Sequence, residues 1–598
     1  MLQNATQFVA FWWHSFCAKP PDQAVHGWED LVPKNNDGLG GEMAEQAAPK
    51  MQATLGLTGV TVNAMALIAP GAFLWITFFT QANQAYPSAI SMWAGIFVAL
   101  CLAYATALSY SELAKLYPGA GSSYLFAEQA FLNTTEAYRF ARVAKFVIGW
   151  SSHLYYWVYP GVMVATMGVM IGYIVGTLAP GVMNAGVPGP VFMALVAIIF
   201  SYAVAYIAFR GVNGSTSVNV AINAIQIAAL LFFTALAISY RLSHGDGSAG
   251  LSLDPNGNTI PATLHYALTG DHPAHPSALS VIMPHGLSNT MMQATVAILL
   301  LVGFESVTSL GEEARNPKKD IPRAVLLSLT IQGLFCYMIE YFAANYFLSS
   351  AYSLAEAKGS AAPIGDMMVI LGNALLGGHG QAFMLLEAFT VFLALIGTTL
   401  SCINTGARVT YAMGRDEEVP EHFGMLHGDN LTPHRAIWVL ATISALIGAY
   451  GALYYFGGGS APDDKTIATL PHSVWYSMGI GSNAYLSSLP NGLLLVTLLS
   501  NFGTFLLYGL TNIVCIIAFK EHHEFSGFKH MVVPIFGALA NFACLAFYII
   551  GPLMGIGSPK EPLIAVGLSV VFGVYGAFYF VRNSKKRGRS SLLVAKPV

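Results

Sequence analysis

Residues 68–73 read Ile68-Ala69-Pro70-Gly71-Ala72-Phe73, in the middle of an apolar run with no acid, base or imidazole between Lys50 and Glu112. Proline removes an amide donor and clashes with the preceding turn, while glycine accepts dihedrals that other residues avoid, so a helix through this point is expected to break. The run is long enough to cross a bilayer twice at about 20 apolar residues per crossing. Comparable charge-free stretches lie between His153 and Arg210, Arg210 and Arg241, and His472 and Lys520.

Divided at proline, glycine and charge clusters, the chain yields twelve predicted spans, near 56–83, 89–113, 144–177, 190–209, 216–240, 287–311, 322–348, 381–412, 434–456, 490–519, 530–551 and 562–582. They lack the ten-residue alternation of barrel strands, and backbone polar groups in lipid must be bonded internally, so helices are expected. Of the 598 residues 55% are hydrophobic and 10% charged, against about 25% charged in a soluble domain. A soluble globule is thereby excluded, and a net charge of −3 gives no reason to expect a nucleic-acid partner. The six cysteines, Cys17, Cys101, Cys336, Cys402, Cys515 and Cys544, form no CxxC motif or disulfide framework.

With the N-terminus inside, the outward loops hold only Arg241, Lys358, Lys465 and Lys560, leaving 23 of the 27 Lys and Arg on the cytoplasmic side. That asymmetry predicts cytoplasmic termini and an integral protein of the cell (inner) membrane. The basic cluster from Arg582 to Arg589 reads as a topological anchor facing anionic lipid. Residues 1–53 read as a cytoplasmic arm, interfacial or disordered, whose patch around Trp12 and Trp13 is too short to span. The outward loop 241–285 contains His244, His265, His272, His275 and His285; their irregular spacing suits a solvated loop better than a metal site.

A second break is expected at Leu301-Val302-Gly303-Phe304-Glu305-Ser306 in span six. A charge at mid-bilayer costs about 2.5–3.5 kcal/mol, so Glu305 is expected to face a polar interior. Spans one and six are five helices apart, where two inverted five-helix halves would place equivalent positions, here 54–240 and 286–519, with 520–582 supplying two further helices and 583–598 a basic tail. Free amides at a half-helix N-terminus attract a carboxylate and free carbonyls at a half-helix C-terminus accept from an ammonium, so paired breaks suit a zwitterion. Kinks used only for packing would give the same residues.

Four segments carry a family resemblance: Ala107-Leu108-Ser109-Tyr110-Ser111-Glu112-Leu113 with Tyr117-Pro118-Gly119-Ala120-Gly121; Gly303-Phe304-Glu305-Ser306 with Glu312-Glu313-Ala314-Arg315-Asn316-Pro317; Arg408-Val409-Thr410-Tyr411-Ala412-Met413-Gly414-Arg415-Asp416; and Arg210-Gly211-Val212-Asn213. Through them the chain resembles the amino acid, polyamine and organocation superfamily of secondary transporters, particularly its bacterial amino acid permeases. The resemblance implies an all-α fold of about twelve membrane helices in a 5+5 inverted repeat with broken helices one and six, and no enzymatic activity. It implies a substrate carboxylate at the amides of Gly71 and Ala72, an amine at carbonyls near Leu67, Leu299 and Val302, and a cavity bounded by Ile68, Ala69, Pro70, Gly303, Phe304, Tyr155 and Tyr156. Two departures stand out: Ala69-Pro70-Gly71 replaces the usual glycine- and serine-rich break, and Leu299 stands where some relatives keep an aromatic gate.

Some proton-using relatives carry a lysine in span five where sodium-driven ones bind a cation; here Gln226 occupies that position, after Val218-Asn219. Two coupling routes stay open. Sodium could be held by carbonyls of span one with Thr398, Thr399 and Ser401 of span eight, hydroxyls that could equally bond their own helix. Protons could be carried by Glu305, Glu340, Glu387 or His153. No other cofactor or metal is expected. The mixed-charge runs 312–323 and 408–416 read as inner-gate ion pairs or as topological anchors. The function expected is ion-coupled uptake of an amino acid or related amine through the lipid bilayer, with an exchanger or a non-transporting nutrient sensor as the alternatives. The two final helices either support dimerisation or brace the bundle. No HExxH, GxGD or Walker run points to an enzyme.

Overall fold

The structure, a computed structural model, describes residues 53–68, 78, 81–82, 88–179, 189–211, 215–244, 251–253, 259–261, 277–349, 352, 354, 357, 362–428, 430–455, 490–554 and 560–595. The N-terminal arm, Ala69 to Ala72, and most of the His-rich loop lie outside these residues.

Among the described residues, ten helical segments are long and apolar enough to cross a membrane: Met92–Leu116, Ala137–Gly176, Gly189–Arg210, Asn219–Ser243, Pro317–Phe347, Gly380–Arg415, His434–Leu453, Gly492–Lys520, Phe528–Leu553 and Lys560–Lys586. The chain is thus an integral, polytopic helical membrane protein. We label its helices α1 (Leu57–Ile68), α2 (Met92–Leu116), α3 (Ser123–Leu132), α4 (Ala141–Tyr156), α5 (Tyr159–Leu178), α6 (Gly189–Arg210), α7 (Ser215–Ser243), α8 (Leu287–Leu301), α9 (Pro317–Leu329), α10 (Met338–Phe347), α11 (Pro363–Leu375), α12 (Gly380–Arg415), α13 (His434–Leu453), α14 (Gly492–Lys520), α15 (Val533–Leu553) and α16 (Lys560–Lys586). The described strands are a small antiparallel ribbon that pairs Leu251 with Pro261 and Leu253 with Thr259.

Three features differ from the expected map. The third span is interrupted at Trp157-Val158, because Pro160 opens α5 and cannot continue the amide ladder of α4. Wide π-type turns, Thr330–Tyr337, separate α9 from α10 in the seventh. Helix α11 lies between spans seven and eight where no helix is expected, started by Pro363 and folded back on α12 where Gly372 meets Gly380.

Small residues set the helix spacing. A Cβ on Gly503 of α14 would lie 2.7 Å from the Tyr155 amide nitrogen, and one on Gly576 of α16 would lie 2.2 Å from Trp150 Nε1. Both helices therefore approach α4 closely. Helices α15 and α16 turn Phe536, Leu539, Val571, Val574 and Phe578 outward, as lipid-facing helices do.

Candidate functional site

The described part of span one ends at Ile68, with Leu67 and Ile68 fully buried. Ala69, Pro70, Gly71 and Ala72 fall outside the described residues. In span six α8 ends at Leu301, Val302 is extended, and Gly303 takes φ +120°, a conformation side-chain-bearing residues rarely adopt. A tight 3-10 turn, Phe304–Leu310, follows. Its hydroxyls cap the exposed carbonyls: Ser306 donates to Gly303 O at 2.6 Å and Thr308 to Glu305 O at 2.6 Å. A Cβ on Gly303 would come within 2.8 Å of Leu67 Cγ, so the break in span six packs directly on the last described turn of α1.

Glu305 is fully buried beside this contact, in the polar setting its sequence position required. Tyr508 of α14 donates to Oε2 at 2.5 Å, the Gly303 amide donates to Oε2 at 3.0 Å, and Tyr156 of α4 donates to Oε1 at 3.1 Å. The carboxyl therefore ties the break to two other helices. Phe304 packs on the rings of Tyr508 and Tyr110, at centroid distances of 5.3 and 6.1 Å. Tyr156 is committed to Glu305, whereas the buried hydroxyl of neighbouring Tyr155 has no hydrogen-bond partner among the described residues.

Around α1, Thr398 Oγ1 lies 2.9 Å from both Ala66 O and Ala394 O, and Ser401 donates to Asn63 O at 3.3 Å. Thr399 Oγ1 and both amide atoms of Gln226 are buried without partners among the described residues.

With this geometry in place, comparison with known proteins is decisive at the family level. The sequence model of the family described as amino acid permease matches residues 53–581. The chain belongs to the amino acid permease family. It is 26% identical to the branched-chain amino acid permease BcaP of Bacillus subtilis (strain 168) over 57% of this chain and 64% of that one. It is 24% identical to the low-affinity putrescine importer PlaP of Escherichia coli (strain K12), over 57% and 63%. It thus covers less than two thirds of either relative's length. A methylthioribose transporter of Bacillus subtilis (strain 168) is 23% identical over 84% of this chain and 89% of its own. These relatives are named as permeases and transporters, not enzymes.

The remaining predicted residues of this amino acid permease family member fall in separate places. Leu299 lies within α8. Glu340 of α10 and Glu387 of α12 are buried within electrostatic reach of each other, and among the described residues neither oxygen of Glu340 has a hydrogen-bond partner. No hydrogen bond joins either to Glu305. His153 is buried, with Nε2 3.2 Å from Thr410 Oγ1 and its ring stacked on Trp157. Among the described residues no cluster of His, Cys, Asp and Glu could hold a metal.

The two mixed-charge runs meet. Arg408 Nη2 and Nε lie 2.6 and 3.0 Å from Glu313 Oε1, both side chains about nine-tenths buried. Leu55, just before α1, pairs with the same turn: its amide donates to Glu313 O and its carbonyl accepts from Arg315. The residues after α12 hold more charge than expected from sequence. Asp416 accepts from Lys145 at 3.0 Å and from Tyr124 at 2.7 Å, a phenol whose pKa burial drives upward. Glu418 accepts from Arg142 at 2.7 and 3.1 Å, and Glu417 takes both Arg587 and Arg589. Arg587 and Arg589 are therefore protein contacts as well as parts of a basic anchor, while Arg582, Lys585 and Lys586 stay exposed. Sequence reading also missed Tyr508 and Asn63, polar groups inside apolar runs with no local pattern to mark them.

Proposed function

We propose that this protein is a secondary active transporter that takes up an amino acid or related amine by alternating access, driven by an ion gradient. One observation carries the reading: in an amino acid permease family member, the break at Gly303 packs on the end of α1. Opposed helix ends supply carbonyls for an ammonium and amides for a carboxylate. In this reading Gly71 and Ala72 take the substrate carboxylate, carbonyls near Leu67, Leu299 and Val302 take the amine, and Ile68, Ala69, Pro70, Phe304 and Tyr155 bound the cavity. The full architecture is twelve spans in a 5+5 inverted repeat, 54–240 and 286–519, with both termini cytoplasmic in the inner membrane. Arg408–Glu313 acts as an inner-gate pair. For coupling, Glu305, Glu340 and Glu387 are the intramembrane groups able to take up a proton, and Thr398, Thr399 and Ser401 are the hydroxyls nearest a cation route.

The test is uptake of a labelled amino acid panel, with putrescine included, into proteoliposomes under a proton gradient, a sodium gradient or neither. Accumulation under one gradient is expected. Counterflow without gradient-driven accumulation would make the protein an exchanger, and binding without either would make it a sensor. Gly71→Val is expected to abolish substrate binding in a folded protein, and Glu305→Gln to flatten the pH dependence of uptake.

A further inference from the structure

Three consecutive residues at the start of α3 each bond a different part of the bundle. Tyr124 donates to Asp416, beyond the end of α12, at 2.7 Å. Ser123 Oγ lies 2.6 Å from the Tyr110 hydroxyl of α2 and 3.1 Å from Thr511 Oγ1 of α14. Ser122 Oγ lies 2.6 Å from Thr308 Oγ1, in the 3-10 turn that follows the break in span six. A hydroxyl carries one proton. Thr308 gives its own to Glu305 O at 2.6 Å, so Ser122 is the donor, and the bonds run in series from this loop into the span-six turn.

The backbone of Ser122 is strained. Its dihedrals, φ 50° and ψ −130°, are those of the first central residue of a type II′ turn, closed here by the Tyr124 amide donating to Gly121 O at 3.1 Å. Glycine is the usual residue there, because a Cβ crowds the backbone at positive φ. Among the described residues, Ser122, Glu417 and Leu431 hold a positive φ without being glycine, and Ser122 is the buried one of the three. Such a conformation persists only where its surroundings hold it, and conformations of this kind gather where a structure switches. A glycine at 122 would make the turn without strain but could not reach Thr308. The hydroxyl is therefore what serine adds at this position.

Around the contact, backbone meets backbone: a Cβ on Gly311 would lie 2.4 Å from Gly119 N. Two residues further on, Glu313 pairs with Arg408. Residues 119–122 thus form a seat for the span-six turn, and the turn has to leave that seat when the Arg408–Glu313 pair opens.

We propose that Ser122 is a positioning residue whose strained hydroxyl contact with Thr308 holds the span-six turn in its seat and sets how often the turn lifts away. The proposal rests on the transport reading and names a residue that times its gating step. While the turn is seated, the strain at Ser122 opposes its hydrogen bond; once Thr308 leaves, the backbone is free to relax. The turn is held but not fixed, and no charge is stranded when the contact opens.

Cys402 of α12 reports the opening. It is buried, with Sγ 3.9 Å from the carbonyl of Tyr156, whose phenol bonds Glu305. The protein in detergent is treated with N-ethylmaleimide and modification of Cys402 is followed by mass spectrometry, with buried Cys544 of α15 as the control for unfolding. Ser122→Ala keeps the strain and loses the hydroxyl, so Cys402 is expected to react about five- to tenfold faster, as the loss of one hydrogen bond implies, with Cys544 unchanged. Ser122→Gly loses hydroxyl and strain together, and is expected to react more slowly and melt higher than Ser122→Ala. Thr308→Ser keeps the hydroxyl and is expected to match the wild type. Should Ser122→Ala not fold, Thr308→Val removes the same bond from its other end and is expected to give the same acceleration. Equal Cys402 rates in the wild type and the variant lacking the bond would overturn the proposal, as would equal rates and melting in the alanine and glycine variants. Labelling and melting need no substrate. A protein that gives this order yet shows neither uptake nor counterflow of the amino acid and putrescine panel sinks the transport reading alone, and one that transports with all rates equal sinks the Ser122 contact alone.

Discussion

The junction of spans one and six and the face where the two mixed-charge runs meet are held together by opposite chemistry. Among the described residues the bonds between helices at the junction are neutral amides, hydroxyls and phenols, and the carboxylate there, Glu305, has three donors of its own. At the charged face Glu313, Asp416, Glu417 and Glu418 each meet a basic partner from a different part of the chain. The difference follows from depth. Breaking an ion pair in lipid strands two charges, whereas at the membrane edge water can solvate them again, so pairs that must open and re-form belong there. The neutral junction is built to stay made; the charged face is able to change.

The largest expected effect comes from the pair that combines both worlds. Arg408–Glu313 is charged yet buried, and Arg408→Ala leaves Glu313 with no basic partner, a loss of about 3–5 kcal/mol. Thermal unfolding measures it, and adding Glu313→Gln to the variant is expected to recover most of the loss. If the single variant melts like the wild type, the pair is solvated and the depth argument fails at its boundary. Next is Gly303→Ala. Its Cβ would overlap Leu67 at 2.8–2.9 Å and force φ +120° on alanine, together costing about 2–4 kcal/mol. Uptake is expected to vanish, because the two helix ends can no longer meet.

These two sites also show what the sequence could and could not reveal. The break at Gly303 and the polar surroundings of Glu305 were legible because glycine beside a carboxylate in an apolar run is a local anomaly. The identity of the surroundings was not: Tyr508 lies 203 residues from Glu305 and Tyr156 lies 149 away, and nothing in either apolar run marks a donor. Likewise Glu313 and Arg408 stood in two runs read as ion pairs or anchors, and only the fold joins them across 95 residues. The contacts of α12 with α1 were hidden for another reason. Thr398 and Ser401 looked able either to bond their own helix or to reach span one, and Thr398 stands at equal distance from both.

A smaller effect separates the two phenols on Glu305. Tyr508→Phe removes the 2.5 Å donor and is expected to cost about 1.5–3 kcal/mol, as for a hydrogen bond to a charged group. Tyr156→Phe removes the longer 3.1 Å contact and is expected to cost less. Unfolding of the two variants side by side ranks them; a reversed order would mean that Tyr156, not Tyr508, anchors the carboxyl.

The smallest effect lies at the tail, where the comparison is sharpest. Glu417 holds φ +59° and receives Arg587 and Arg589 on one oxygen, with Asn583 donating to its carbonyl. These side chains are about a quarter to two-fifths exposed, so water and salt share their charge. Removing both arginines is expected to cost only about 0.2–1 kcal/mol per pair. The cost should shrink further as ionic strength rises from 0.01 to 1 M, where the screening length falls from about 30 to about 3 Å. Arg142–Glu418, nine-tenths buried beneath the tail, should be nearly blind to the same change. Melting Arg587→Ala/Arg589→Ala and Arg142→Ala across that salt range therefore separates the two layers. If the tail variant lost as much stability at 1 M as at low salt, its arginines would be acting through packing rather than charge, and the charged face would have to be counted with the junction.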